Sequence, residues 1–180
     1  MKCELVENRL IVWNISDSKK LFNNGYFGKP IGISKPKSDE IDTPLILDLI
    51  EGYHLVSEKK LTIRDSNSGK VVSKRKLVEK CESEYVLFKE KFLVYKELRS
   101  RGYIVTPGIK FGSDFAVYEH GPGIDHAPYI IQVMQPQSNL TATAIVLAGR
   151  LATTVKKKFL VAVVKDSDEV EFLSFEWWRA

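Results

Sequence analysis

The sequence predicts a two-part α/β chain of mixed α+β type. A small N-terminal mixed α/β domain spans residues 1–83, and a C-terminal domain spans residues 84–180, with a mixed central sheet flanked by helices. Three observations predict it. A long helical stripe opens at Glu84, just after the mostly polar stretch Glu79 to Ser83. Beyond Gly102 the apolar spacing changes from the helical period to the strand period of two. Phe159 to Val164, FLVAVV, is a continuous apolar run, as in a strand covered on both faces.

In the first half, Glu4 to Val6 and Leu10 to Trp13 flank Glu7-Asn8 and suggest a hairpin. Ser16 or Asp17 caps a short helix through Lys20, Leu21 and Phe22, ended by Asn23-Asn24-Gly25. Thr43-Pro44 reads as a second helix start, because proline in the first turn gives up an N–H that has no partner there. Leu45, Leu49 and Ile50 then face inward, with Gly52 near the helix end. Lys60 to Arg64 and Lys70 to Ser73 read as strands joined by the turn Asp65-Ser66-Asn67-Ser68-Gly69. This half carries no catalytic motif.

In the second half, Glu84 to Ser100 is the longest helix, with Phe88, Phe92, Tyr95 and Leu98 forming a core stripe and Gly102 the left-handed stop. Tyr103 to Thr106 is a short strand, Pro107-Gly108 a turn, and Ser113 to Glu119 an alternating strand. Gly121-Pro122-Gly123 breaks the chain before the apolar strand Ala127 to Met134. A helix from about Asn139 to Lys156 carries Leu140, Ala144, Leu147, Leu151 and Val155. The strand Phe159 to Val164 follows, then Val170 to Phe175 ahead of Trp177-Trp178-Arg179. The order is helix, three strands, helix, two strands.

Composition narrows the function classes. With 44% hydrophobic residues the chain can bury a core. No apolar run approaches the roughly 18 residues of a membrane helix. Glu4 and Glu7 fall where a signal peptide keeps its apolar stretch, so a cytoplasmic protein with no membrane partner is expected. Cys3 and Cys81, the only cysteines, lack zinc spacing; two reduced thiols are expected, with one disulfide left open. A net charge of +4 permits a polyanionic partner without requiring one.

Tyr118, His126 and Lys157 each fall at the end of a predicted core element, where a rigid scaffold positions loop chemistry. Together they suit RNA. Attack by a neighbouring 2′-hydroxyl needs a proton acceptor, an acid for the departing 5′-oxygen, and a cation for the phosphorane. Histidine exchanges protons near neutrality. Lysine supplies fixed charge, and one well-aimed donor contributes about 3 kcal/mol to a transition state. A tyrosine hydroxyl relays a proton, although a pKa of about 10 makes it a weak base unless cations lower it. RNA carries its own nucleophile, so the scheme needs no metal and no cofactor. Each residue also has a plain structural account. Tyr118 could pack at a strand end, His126 could be a solvated loop residue, as could His120, and the run Lys156-Lys157-Lys158 could complement a helix dipole. Spacing alone favours the plain structural account.

Arg101 to Tyr118, RGYIVTPGIKFGSDFAVY, closely resembles the RGY-V--G-KFG-DF-VY signature of archaeal tRNA-intron endonucleases. Ile124-Asp125-His126-Ala127-Pro128-Tyr129 resembles that family's histidine segment, and Ala152 to Val164, ending KKKFLVAVV, its lysine-plus-strand segment. These cover about residues 84 to 165 in order; the N-terminal half resembles the family's smaller domain more loosely. The resemblance implies a restriction-endonuclease-like nuclease domain that removes introns from precursor tRNA at bulge–helix–bulge sites, leaving 2′,3′-cyclic phosphate and 5′-hydroxyl ends. It casts Tyr118 as the base toward the 2′-hydroxyl, His126 as the acid and Lys157 as the charge stabiliser, with Lys156 and Lys158 one register step away. It implies that Arg150, seven residues before Lys157, contacts a bulge nucleotide, where the alternative is a solvent-facing helix arginine. Trp178, with Trp177 and Arg179, is a candidate for a second base clamp. It further implies that the acidic turn Asp166 to Glu169 docks on another subunit, in a homo-oligomer or in a heterotetramer with a paralogous structural subunit; alone, the turn reads as a polar hairpin loop.

Two rivals remain. A metal-dependent nuclease would use Asp114, but the next strand offers Gln132-Val133-Met134 in place of Glu-x-Lys. A non-catalytic RNA-binding or assembly subunit would be expected to lack the trio.

Overall fold

The computed structural model describes residues 1–33, 36, 41–124, 126–154 and 156–175, apart from the side chains at 144, 147, 151 and 152. The chain forms two compact units, Met1–Phe88 and Lys89–Ala180.

The first unit contains β1 (Lys2–Val6), β2 (Arg9–Val12), α1 (Ile15–Asn23), β3 (Lys29–Pro30), β4 (Leu45–Leu47), α2 (Leu49–Ser57), β5 (Thr62–Asp65) and α3 (Lys74–Glu84). Its five strands run in the order β3-β4-β2-β1-β5. β1 and β2 form the expected hairpin, and β5 returns parallel to β1. The cap of α1 is Asn14, whose side chain accepts from Asp17 N at 3.0 Å, two residues ahead of the expected Ser16.

Thr43-Pro44 does not start a helix. Leu45 and Leu47 are buried on a strand between β2 and β3, and α2 begins only behind Asp48. Asp48 and Glu51 form a capping box, satisfying two otherwise orphaned N–H groups. Gly52, expected near the helix end, sits inside α2 because a Cβ there would lie 2.0 Å from Leu10 Cδ1 on β2. Lys70 to Ser73 is not a strand: only Val71 bridges, to Arg64, and Ser73 caps α3.

The polar stretch Glu79 to Ser83 belongs to α3, an amphipathic helix that buries Leu77 and Cys81. The predicted helix Glu84 to Ser100 is in fact the last residue of α3 and the whole of α4 (Phe88–Ser100), separated by Tyr85 to Leu87, with Leu87 at φ 60°. Cys3 and Cys81 are free and buried. Burial pushes both thiols up to about 12, so neither is a ready nucleophile.

After α4 the second unit contains β6 (Ile104–Pro107), a 3-10 turn (Ile109–Phe111), β7 (Phe115–Tyr118), β8 (Tyr129–Met134), α5 (Ala142–Thr154), β9 (Lys158–Val164) and β10 (Val170–Ser174). The strand order is β10-β9-β8-β7-β6. Only β8 and β9 are parallel, with α5 as their crossover. β9 buries Phe159 and Val161 on one face and Ala162 and Val164 on the other, which explains its unbroken apolar run. The first face packs with Leu140 and Ala148. The second is covered by α4, where Tyr95 and Phe115 place their rings 6.1 Å apart. Phe88, Tyr95 and Leu98 are buried as the stripe predicts, while Phe92 is half-buried. Ala144, Leu147, Leu151 and Val155 lie outside the described side chains. Among the described residues, no helix is long and apolar enough to cross a membrane.

Candidate active site

Pairing in the second sheet brings the three predicted residues to one end of it. β7 runs antiparallel to β8, so Tyr118, its last residue, lies beside the start of β8. β8 runs parallel to β9, so the start of β9 lies there too. Val117 pairs with Tyr129, and Tyr129 with Lys158. Tyr118, Pro128 and Lys157 are the next residues outward along the three segments, and Lys158 N donates to Pro128 O at 2.8 Å. Residues in one row share a face. That face is the one carrying Ala116, Ile130 and Phe159, which pair across β7, β8 and β9. His126 is exposed two residues before Pro128, at the same sheet end.

Among the three lysines, position decides. Lys156 is exposed at φ 53°, and Lys158 is exposed as the first residue of β9. Lys157 is half-buried; its Nζ donates to Ala127 O at 2.5 Å and stands 5.0 Å from the centre of the Phe111 ring. Ala127 is the neighbour of His126, so the lysine charge is tied to the histidine loop. Tyr118 is half-buried, while His120, two residues on, is exposed in the loop.

Arg150 is exposed on α5, one turn before the end of the helix that delivers the chain to Lys157. It lies four residues from the helix end, about 6 Å along the axis. Trp178, with Trp177 and Arg179, lies outside the described residues. A cleft of about 470 Å³ runs along the same sheet face from Phe111, past Gln132 and Met134, to Leu140 and Phe159. Its lining residues are apolar or neutral polar, in contrast to the tyrosine, histidine and lysine at the sheet end.

Asp114 is committed elsewhere. Its carboxylate pairs with Lys91 Nζ at 2.7 Å and accepts from Gln132 Nε2 and Val133 N, both at 2.7 Å. It lies at the opposite end of β7 from Tyr118. A carboxylate satisfied three times over by a cation and two N–H donors is a poor metal ligand, which argues against the metal-nuclease rival. The sequence shows Asp114 but not its partner, because Lys91 comes from α4, a separate element.

The acidic turn Asp166 to Glu169 joins β9 and β10. Asp168 pairs with Lys89 at 2.8 Å, and Lys165 reaches Glu169 at 3.4 Å and Glu171 at 2.5 Å. Part of its charge is therefore matched within the chain, at exposed positions.

Comparison with known proteins agrees with this architecture. Residues 88–172 match the tRNA intron endonuclease catalytic C-terminal domain, and residues 1–78 match the N-terminal domain of the same family. The chain is 39% identical to the tRNA-splicing endonuclease of Sulfurisphaera tokodaii and 38% identical to that of Hyperthermus butylicus. It is 37% identical to the Saccharolobus solfataricus protein of the same name. In each case the match covers 98% of both chains. The chain belongs to the tRNA intron endonuclease family and carries both of its domains, the catalytic one included.

Proposed function

We propose that this chain performs tRNA intron cleavage without a metal ion, cutting precursor tRNA at bulge–helix–bulge sites through Tyr118, His126 and Lys157. The observation that supports it most is the convergence of the ends of β7, β8 and β9, with the Lys157 ammonium held beside the His126 loop. In this reading the 2′-oxygen attacks the adjacent phosphorus and the bond from phosphorus to the 5′-oxygen breaks. Tyr118 takes the 2′-hydroxyl side, as base or as orienting group. His126 gives its proton to the departing 5′-oxygen, and Lys157 balances charge on the phosphorane. The products are a 2′,3′-cyclic phosphate and a 5′-hydroxyl.

Arg150 contacts a bulge nucleotide by guanidinium stacking or phosphate contact. Trp178 is proposed for a second base contact. The turn Asp166 to Glu169 docks on another subunit, either a second copy or a paralogous structural chain. Its own lysine partners are exposed and solvent-screened, so exchanging them for a partner's cations costs little.

The test is cleavage of a bulge–helix–bulge precursor in excess EDTA, with and without a partner subunit, followed by end-group analysis. Cyclic phosphate ends formed at an undiminished rate support the proposal. Loss of cutting with EDTA, or 3′-hydroxyl ends, contradicts it.

A further inference from the structure

We propose that Phe111 is a positioning residue for the cleavage reaction: its ring face holds the Lys157 ammonium against the Ala127 carbonyl, beside His126. The inference rests on Lys157 being the group that meets the phosphate charge. Lysine is a flexible point charge, so an aimed ammonium needs more than one contact. Here the Ala127 carbonyl engages Nζ at 2.5 Å and the Phe111 ring face stands 5.0 Å away. A ring suits such a contact. An aromatic face attracts the cation through its quadrupole and leaves its net charge intact.

The loop that carries Phe111 is built to fix it. Phe111 N donates to Gly108 O at 2.8 Å and Gly112 N to Ile109 O at 3.0 Å, making one 3-10 turn. Gly112 ends that turn at φ 62°, a left-handed position that glycine adopts without strain. Gly108 N donates to Asp114 O at 2.9 Å and closes the loop. A Cβ on Gly108 would lie 2.5 Å from Ser113 Oγ and 2.7 Å from Ser113 O, so the two ends of the loop touch. Ile109 is 83% exposed and Lys110 is exposed, whereas Phe111 packs at the edge of the Ile130–Phe159 core. The signature stretch PGIKFGSDF is thus a clamp that turns one ring toward Lys157.

The test uses the full chain in the assembly that cuts precursor tRNA, with Phe111→Leu, Phe111→Tyr and progressively fluorinated phenylalanines at position 111. Fluorination drains the ring quadrupole at nearly constant shape, so it remains decisive if the leucine variant folds poorly. Expected are single-turnover rates that fall stepwise with fluorination, about 3- to 30-fold slower cutting by Phe111→Leu, and near-normal cutting by Phe111→Tyr, with RNA affinity little changed. Rates insensitive to fluorination, or an effect confined to RNA affinity, overturn the proposal. Lys157→Met separates the two readings: full activity in that variant removes Lys157 itself. Impaired cutting by Lys157→Met with a flat fluorination series removes Phe111 alone.

Discussion

The two ends of β7 are built in opposite ways. At its start Asp114 is bound by a cation, a side-chain amide and a backbone N–H, all at 2.7 Å, and the pair with Lys91 is only 11–16% exposed. At its finish Tyr118 opens onto a loop, with exposed His126 and half-buried Lys157 on the neighbouring elements. One end uses its polar groups to join α4, β7 and β8; the other gathers the polar groups proposed to act on RNA. The contrast teaches that a charged residue in a nuclease-like motif is not thereby catalytic. Burial and partners decide, and they divide the signature between structure and chemistry.

Variants at the two ends should therefore separate activity from stability. His126→Ala should slow cutting by about 100- to 10,000-fold, measured as a single-turnover rate, with an unchanged melting temperature because the side chain is exposed. A loss of stability there would break the contrast. Asp114→Ala should do the reverse. It removes the Asp114–Lys91 ion pair and the acceptor of two part-buried donors, and should cost about 3–5 kcal/mol in chemical denaturation. Folded protein should still form a cutting site, and an unchanged denaturation midpoint would show that the ion pair holds nothing together. Gly108→Ala should cost about 1–3 kcal/mol, because Ser113 O and Phe115 C, 2.7 and 2.8 Å from the added methyl, are backbone atoms that cannot turn aside. The smallest expected effect lies in the first unit. Cys3 and Cys81 should resist thiol reagents at neutral pH until the protein unfolds, since burial disfavours both thiolates.

The second unit was legible because its apolar spacing changes sharply at Gly102 and each strand ends at a turn residue. Tyr95 and Leu98 of the helical stripe and the FLVAVV run carry their burial in their pattern. In the first unit Pro44 imitates a helix start, while the capping box of Asp48 and Glu51, also present in the sequence, marks the true one. Gly52 reads as a stop but is a close-packing residue, because the backbone approach it permits depends on Leu10, forty-two positions away. The candidate site was legible as three residues at three element ends. Which ends become neighbours depends on the parallel pairing of β8 and β9, which no local pattern encodes. Phe111 was hidden for the same reason: its distance from Lys157 is set by the fold, and only the quoted signature marked the residue.

The central claim, that His126 delivers the proton to the leaving 5′-oxygen, is tested most directly with a precursor carrying sulfur in place of that oxygen at the splice site. A thiolate departs without an acid. The account predicts that His126→Ala, nearly inactive on the normal precursor, cuts the sulfur-substituted one at close to the wild-type rate, while Lys157→Met stays slow on both. If His126→Ala remains equally impaired on the sulfur substrate, His126 is not the acid and the account is wrong at its centre.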